Sequence, residues 1–277
     1  MENKSSLANV ATDDLHLYLA WGCPFCHRVT AALATTSLTD KVTITWMQNI
    51  KGEPGWEIEP TDDPLFNASS LAEVYKQLLP NEQTRFSVPL LVDKNLKSFM
   101  SSSSVDIVRL ISSGFNGRYP VNENLAPEYL QKEIDSLNSW IHERVNRAVY
   151  LVGFSTDQQE YEEKVVSLFA ALDTLEERLS KQPYLFGNSI TESDLFLLAT
   201  LERFDSIYFI LFKCTLKRIS DYDVLSNYMK RLTSNETLSK TYNDRLAREH
   251  YFLSTMHVRG EVRELNPSKL IPITSQT

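Results

Sequence analysis

Two cysteines one helical turn apart, in Cys23-Pro24-Phe25-Cys26, are the sharpest chemical feature of the chain. They follow an apolar, aromatic run at residues 16–20 that reads as a strand, broken by Trp21-Gly22, and they open a helical pattern at residues 24–34. Pro24 suits a first helical turn, where its missing N–H costs little. Unpaired N–H groups and the helix dipole favour an anion at such a place. A thiol held there has a lowered pKa and more thiolate at neutral pH. Cys23, at the helix mouth, is therefore the candidate nucleophile, and Cys26 a candidate resolving thiol. His27 and Arg28 lie in the next turn, where Arg28 offers positive potential or a hold on an acidic ligand. The competing reading is two small core residues or half of a metal site. A zinc site built from four cysteines needs a second pair, and only Cys214 remains. No metal site is expected, and the pattern points to thiol or redox chemistry.

Two other segments are candidates for holding a ligand. Val88-Pro89 enters a predicted strand at residues 88–92. A cis peptide there would expose the backbone groups of Val88 to an extended peptide, which pairs with them as an added strand. Most X–Pro bonds are trans, so the dipeptide alone reads as an ordinary proline at a strand edge. Residues 101–104 are four serines at a helix start. They serve either as caps or, through hydroxyls and free N–H groups, as a carboxylate site.

The positioning elements follow from periodicity. Residues 42–47 alternate as a second strand, and 50–66 form a loop rich in Pro, Gly and Asp. Residues 68–79 read as a short helix, 98–100 as a short strand and 105–111 as an apolar-periodic helix. The order β-α-β-α-β-β-α predicts an α/β thioredoxin-like domain over residues 1–113. A linker with Asn, Gly and two prolines covers 114–127. Residues 128–277 then read as an all-α domain with a C-terminal extension. One stripe there runs through Leu130, Ile134, Leu137 and Ile141, and another from Val165 to Leu179. Thr191 and Asp194 stand as N-cap and N3 of a capping box, with Ile190 and Leu195 as its staple. They start a helix, predicted to reach about residue 209, that is apolar on most sides and so central.

The 277 residues give 28 Lys and Arg against 36 Asp and Glu, a net charge of −8. That balance disfavours a general nucleic-acid binder, which needs basic surface to displace counterions. No apolar run approaches the ~20 residues of a membrane span, and residues 1–14 lack the pattern of a secretory signal. With three cysteines, the expectation is a cytoplasmic protein with reduced thiols and no membrane partner.

The chain resembles the glutathione transferase superfamily, and within it the xi class, the glutathionyl-hydroquinone reductases. The matching residues are Cys23 to Arg28, Gly55-Trp56, Val88 to Lys94 and Ile107-Val108-Arg109 in the first half. In the second they are Val149-Tyr150, Gly153-Phe154, Gln158 to Tyr161, Leu168 to Asp173 and Thr191 to Asp194. Further on come Thr200-Leu201 with Arg203-Phe204-Asp205, Phe212-Lys213-Cys214, His250-Tyr251-Phe252, Asn266-Pro267 and Ile271-Pro272. The Thr-Leu-x-Arg-Phe-Asp and Phe-Lys-Cys segments are the most diagnostic of the class. The resemblance implies the glutathione transferase fold and a homodimer, with glutathione as co-substrate, no permanently bound cofactor and a small aromatic, quinol-type substrate. It implies that Cys23 attacks the sulfur of a glutathionyl-hydroquinone, and that a second glutathione resolves the mixed disulfide. Phe25 stands where much of the family has Trp. Val88, beside Pro89, pairs its backbone with glutathione. Tyr150 and Tyr251 lie on the hydroquinone side.

Three departures stand out. The family carries Glu-Ser where this chain has Ser103-Ser104, so a ligand ammonium loses a charged hydrogen bond typically worth about 1.5–3 kcal/mol. Cys26 stands where many relatives carry a non-thiol residue. Residues 255–265 are longer and more charged than the family's run before Asn-Pro, remodelling the pocket rim. Two other functions stay open: a glutathione-independent dithiol–disulfide oxidoreductase using Cys23 and Cys26, and a non-enzymatic ligand-binding protein. Cys214 reads as a buried structural thiol. His142 and His250 read as surface or satisfied core residues, and His257 falls in a charged loop. Trp56 is either a lid over the thiol or a packed loop anchor.

Overall fold

A computed structural model describes residues 14–52, 55–82, 85–258 and 261–264, the segment after residue 254 as backbone only. The first half runs Leu15–Leu19 (β1), Pro24–Thr35 (α1), Thr43–Trp46 (β2), Leu71–Leu78 (α2), Leu90–Asp93 (β3), Ser98–Ser101 (β4) and Ser104–Ser112 (α3). The sheet order is β2-β1-β3-β4. β1 runs parallel to β2, with Leu17 opposite Ile44, and antiparallel to β3, with Leu17 opposite Leu91. A parallel neighbour requires a crossover, and α1 is that crossover. All five residues of β1 are buried, as expected of a strand covered on both faces.

In the first half two boundaries move by more than one residue from the sequence reading. Ser70 caps α2 by accepting from the Glu73 N–H, so that helix starts three residues later than residue 68. β3 starts at Leu90, after Pro89. Pro89 has no N–H to donate to a ladder, and the Val88–Pro89 peptide is cis.

The second half is built of Gln131–Ile141 (α4), Ala148–Gly153 (α5), Gln158–Leu179 (α6), Glu192–Arg203 (α7), Asp223–Thr233 (α8) and Asp244–Leu253 (α9). The connection before it is packed rather than loose. Phe115 and Leu125 are buried, and the Leu125 carbonyl accepts from the Glu192 N–H at 2.8 Å.

α7 is the central helix that the capping box predicts, with every residue except Glu202 buried. Asp194 Oδ2 accepts from the Thr191 N–H at 2.8 Å and from its hydroxyl at 2.9 Å. The helix stops at Arg203, and Phe204–Tyr208 continue as a π-helical turn. Among the described residues no helix is long and apolar enough to cross a membrane. Thr255–Val258 and Glu261–Glu264 form an antiparallel hairpin (β5 and β6) where the sequence reading has only a charged rim, so His257 lies on a strand. The Asn266-Pro267 and Ile271-Pro272 matches lie outside the described residues.

α1 packs against α3 on one side and α7 on the other, which fixes the Cys23 turn between the two halves. Arg109 of α3 reinforces the joint. Its Nε and Nη2 donate to the buried Glu192 carboxylate at 3.2 and 2.9 Å, and Nη2 also reaches Asp135. Asn138 donates to the same Glu192 oxygen at 2.8 Å. Gly22 allows the close approach of α9: a Cβ there would stand 2.3 Å from the His250 ring carbons. Gly22→Ala is expected to destabilise the protein by about 1–3 kcal/mol through overpacking. A lower urea midpoint with an unchanged m-value would show it.

Candidate active site

Cys23 is the N-cap of α1, extended at φ −77° and ψ 120°, with Pro24 in the first turn. Its side chain is partly exposed, whereas Cys26 is 1 % exposed and Cys214 fully buried. A hydrogen bond from the Cys26 thiol brings the Cys23 thiol down to about 7, helped by the backbone N–H groups of Cys26 and Phe25 and by the Arg203 charge, against the opposing effect of burial. The two backbone donors come from the helix start itself, as the position of the motif predicts. In its neutral form Cys23 donates to the Val88 carbonyl oxygen at 3.6 Å, so the cis Val88–Pro89 turn borders the sulfur. Burial and the Cys23 thiolate together hold the Cys26 proton well above its ordinary range. Burial alone does the same for Cys214.

Arg203 is the residue that the sequence reading did not single out as part of the site. It is fully buried on α7 and reaches across to the strand-to-helix turn that carries Cys23. Its Nη2 donates to the Trp21 carbonyl at 3.1 Å and its Nε to the Gly22 carbonyl at 3.3 Å. Its Nη1 donates to Ala199 O at 2.8 Å and to His27 Nδ1 at 3.0 Å. His27 thus carries its proton on Nε2, facing Thr241 Oγ1 at 3.1 Å, and burial beside Arg203 keeps it neutral. The neighbouring Thr200 and Asp205 of the same motif are structural. Thr200 accepts from Asn146, and Asp205 accepts from the N–H groups of Ile219 and Ser220.

Of the two readings of Arg28, its surroundings favour positive potential over a hold on an acidic ligand. Arg28 is 4 % exposed, sandwiched between the Phe25 and Phe196 rings at 4.7 and 4.4 Å. Nη2 donates to Asn146 Oδ1 at 2.8 Å and Nη1 to Ser104 Oγ at 3.4 Å. It braces α1 against both halves rather than standing free to grip an acidic ligand, although its charge still acts on Cys23. Ser103 is the N-cap of α3: its hydroxyl accepts from the Asp106 N–H at 3.3 Å, and its own N–H donates to Ser101 Oγ at 3.0 Å. Ser104 is buried beneath it.

Tyr150 and Tyr251 meet, as their assignment to one side of the pocket requires, and a third phenol joins them. Tyr208 and Tyr251 are buried, while Tyr150 is partly exposed. The Tyr150 and Tyr251 hydroxyls lie 2.5 Å apart, Tyr208 to Tyr251 3.1 Å, and Tyr150 to Tyr208 3.5 Å. Burial first, and then the neighbouring phenols, hold Tyr150 and Tyr251 protonated; the Cys23 thiolate adds to this at Tyr150 and Tyr208. Tyr208 falls within the helix predicted to reach about residue 209, but it lies on the π turn that follows α7. Trp56 stacks on His250 at 5.0 Å and is a packed anchor. His250 is satisfied by Asn49 O and Ser254 Oγ, each at 3.1 Å. Among the described residues no group of three or more His, Cys, Asp or Glu side chains converges on a metal position.

A mixed four-stranded sheet with a thiol at the mouth of its first helix, closed by a helical half, defines a glutathione transferase fold. Residues 158–231 match the family model of the glutathione S-transferase C-terminal domain. Glutathionyl-hydroquinone reductase PcpF of Sphingobium chlorophenolicum is 36 % identical over 93 % of this chain and 82 % of its own length. The crystal structure of glutathione transferase Xi 1 from Trametes versicolor superposes with a TM-score of 0.82 at 34 % identity, covering 87 % of each chain. The glutathione-bound structure of YqjG from Escherichia coli K-12 gives 0.82 at 33 % identity, covering 88 % of this chain and 80 % of that one. The chain belongs to the glutathionyl-hydroquinone reductase family, the xi class of glutathione transferases.

Proposed function

We propose that this enzyme carries out glutathione-dependent reductive deglutathionylation of glutathionyl-hydroquinones, with Cys23 as the nucleophile. The observation that carries the reading is the partly exposed Cys23 thiol, brought to about 7 at a helix N-terminus within electrostatic reach of the Tyr150 phenol. The Cys23 thiolate attacks the glutathionyl sulfur of the substrate. The carbon–sulfur bond breaks, and the ring carbon keeps its electron pair and takes a proton. Tyr150, backed by Tyr208 and Tyr251, hydrogen-bonds the ring oxygens. A glutathione thiolate then attacks the glutathionyl sulfur of the Cys23 mixed disulfide, releasing glutathione disulfide and the Cys23 thiolate.

Glutathione is co-substrate in this reading, seated along Val88 and Pro89 and at the Ser103-Ser104 helix start, with Phe25 beside it. Ser103 replaces a carboxylate, so its ammonium end is held less firmly than in relatives with Glu. A homodimer, resting on the family resemblance, and a cytoplasmic setting, resting on the sparse cysteines, belong to the same proposal. The test is an assay with a glutathionyl-hydroquinone and glutathione, with products resolved by chromatography. The expected result is one hydroquinone and one glutathione disulfide per turnover. Folded protein giving no hydroquinone above the uncatalysed rate would overturn it.

A further inference from the structure

We infer that Cys26 is a resolving thiol: it displaces glutathione from the Cys23 mixed disulfide and closes a reversible Cys23–Cys26 disulfide. The inference rests on the proposed Cys23 chemistry and adds a step to it.

The geometry comes from the helix start. Cys23 is the N-cap of α1, and Cys26 is three residues on, at N3. Each of these positions lies within reach of the other, as in a capping box, where each side chain bonds the other residue's backbone N–H. Here both positions carry sulfur, and the Cys26 thiol donates to Cys23. Beyond that, Cys26 Sγ accepts only the Ala20 N–H, at 3.4 Å. At 1 % exposure it is shielded from bulk thiols and disulfides, and Cys23 is the sulfur beside it. Cys214 is equally buried, but burial alone acts on its thiol, with no contribution from another cysteine.

The electrostatics make the step conditional on the intermediate. Three effects hold the Cys26 proton: burial, the hydrogen bond with Cys23 and the charge of the Cys23 thiolate. A mixed disulfide on Cys23 carries no charge, so the second and third effects vanish together. The Ala20 N–H and the Arg203 charge, which favour the Cys26 thiolate, remain. Burial, the largest of the three, persists, so Cys26 gives up its proton more readily when there is a disulfide to attack than when Cys23 is a thiolate.

The step balances. The Cys26 thiolate attacks Cys23 Sγ, and the bond from Cys23 to glutathione breaks. Glutathione leaves as a thiolate and takes up the proton Cys26 gave up. Free glutathione reopens the ring by attacking Cys23, restoring the mixed disulfide, and a further glutathione completes turnover. The glutathione level therefore sets how much enzyme rests as the internal disulfide.

The test treats wild-type enzyme and Cys26→Ser with oxidised glutathione, quenches in acid, and reads intact mass and disulfide-linked peptides. Wild type is expected to be two hydrogens lighter, with Cys23 and Cys26 linked. The linked form should exceed the adduct by about tenfold or more, because the effective concentration of a tethered thiol far exceeds that of the released glutathione. Cys26→Ser is expected to keep one glutathionyl group on Cys23. A lasting glutathionyl adduct on wild type, without the linked peptide, overturns the inference and leaves the proposed function standing. No modification of either protein overturns both. The linked peptide in wild type decides the question even where the variant does not fold.

Discussion

Cys23→Ser is expected to lower turnover of a glutathionyl-hydroquinone by about a thousandfold or more, because the nucleophile is removed. A serine hydroxyl at the same helix mouth stays protonated through the neutral range, so the helix start has no anion to stabilise. The wild-type rate carries a pH signature of the same group. With the Cys23 thiol at about 7, activity should be full above that value and fall about tenfold per pH unit below it. The sign follows from a depressed pKa: hydrogen bonds from Cys26 and the α1 start favour the anion, and acid removes it. Alkylation of Cys23 by iodoacetamide as a function of pH should trace the same midpoint without any substrate. A midpoint near the ordinary thiol value of 9.0 would mean that the helix start and Cys26 do not act on the sulfur.

Arg203→Met is expected to produce the largest loss of stability, about 3–5 kcal/mol, with a second effect on the thiol. Methionine fills much of the volume but donates to nothing. The carbonyls of Trp21 and Gly22 and the Nδ1 of His27 lose their partner in a part of the protein where Arg203 is fully buried. The charge that favours the Cys23 thiolate also disappears. The expected readouts are a lowered urea midpoint and an upward shift in the Cys23 alkylation midpoint. Arg203→Lys keeps the charge and loses the planar fork. It should recover much of the alkylation midpoint and little of the stability. A merely structural role would lower stability in both variants and leave that midpoint in place.

The parts of the site legible in the sequence are those encoded locally. Strand, CxxC and helix are contiguous, and Pro24 marks the first turn, so the placement of Cys23 could be read from residues 16–34. The α7 start was legible because Thr191, Asp194 and their staple lie within six residues. What the sequence did not reveal depends on pairs far apart in the chain. Arg203 reaches its carbonyl partners from 181 and 182 positions away, and nothing in the local pattern distinguishes a crossing arginine from a helix-ending one. Only its place in the Thr-Leu-x-Arg-Phe-Asp motif marked it. The sequence offers Arg28 either as positive potential or as a hold on an acidic ligand, and its burial is not legible there, since charged residues are rarely fully buried. Two aromatic rings and Asn146, from three different segments, cover it instead. Tyr208 lies inside the predicted helix, and nothing local marks it as the partner of Tyr150 and Tyr251, 58 and 43 positions away. The hairpin of β5 and β6 was hidden by its charges, which obscure a strand alternation.

The most direct test of the account is a single-turnover experiment. Enzyme and an equal amount of glutathionyl-hydroquinone are mixed without free glutathione, and hydroquinone is followed in time. The account predicts a burst of one hydroquinone per Cys23, lost in Cys23→Ser. Whether the glutathionyl group remains or is displaced by Cys26 does not alter the burst. Hydroquinone that appears only after glutathione is added, or at the same rate from Cys23→Ser, would contradict it.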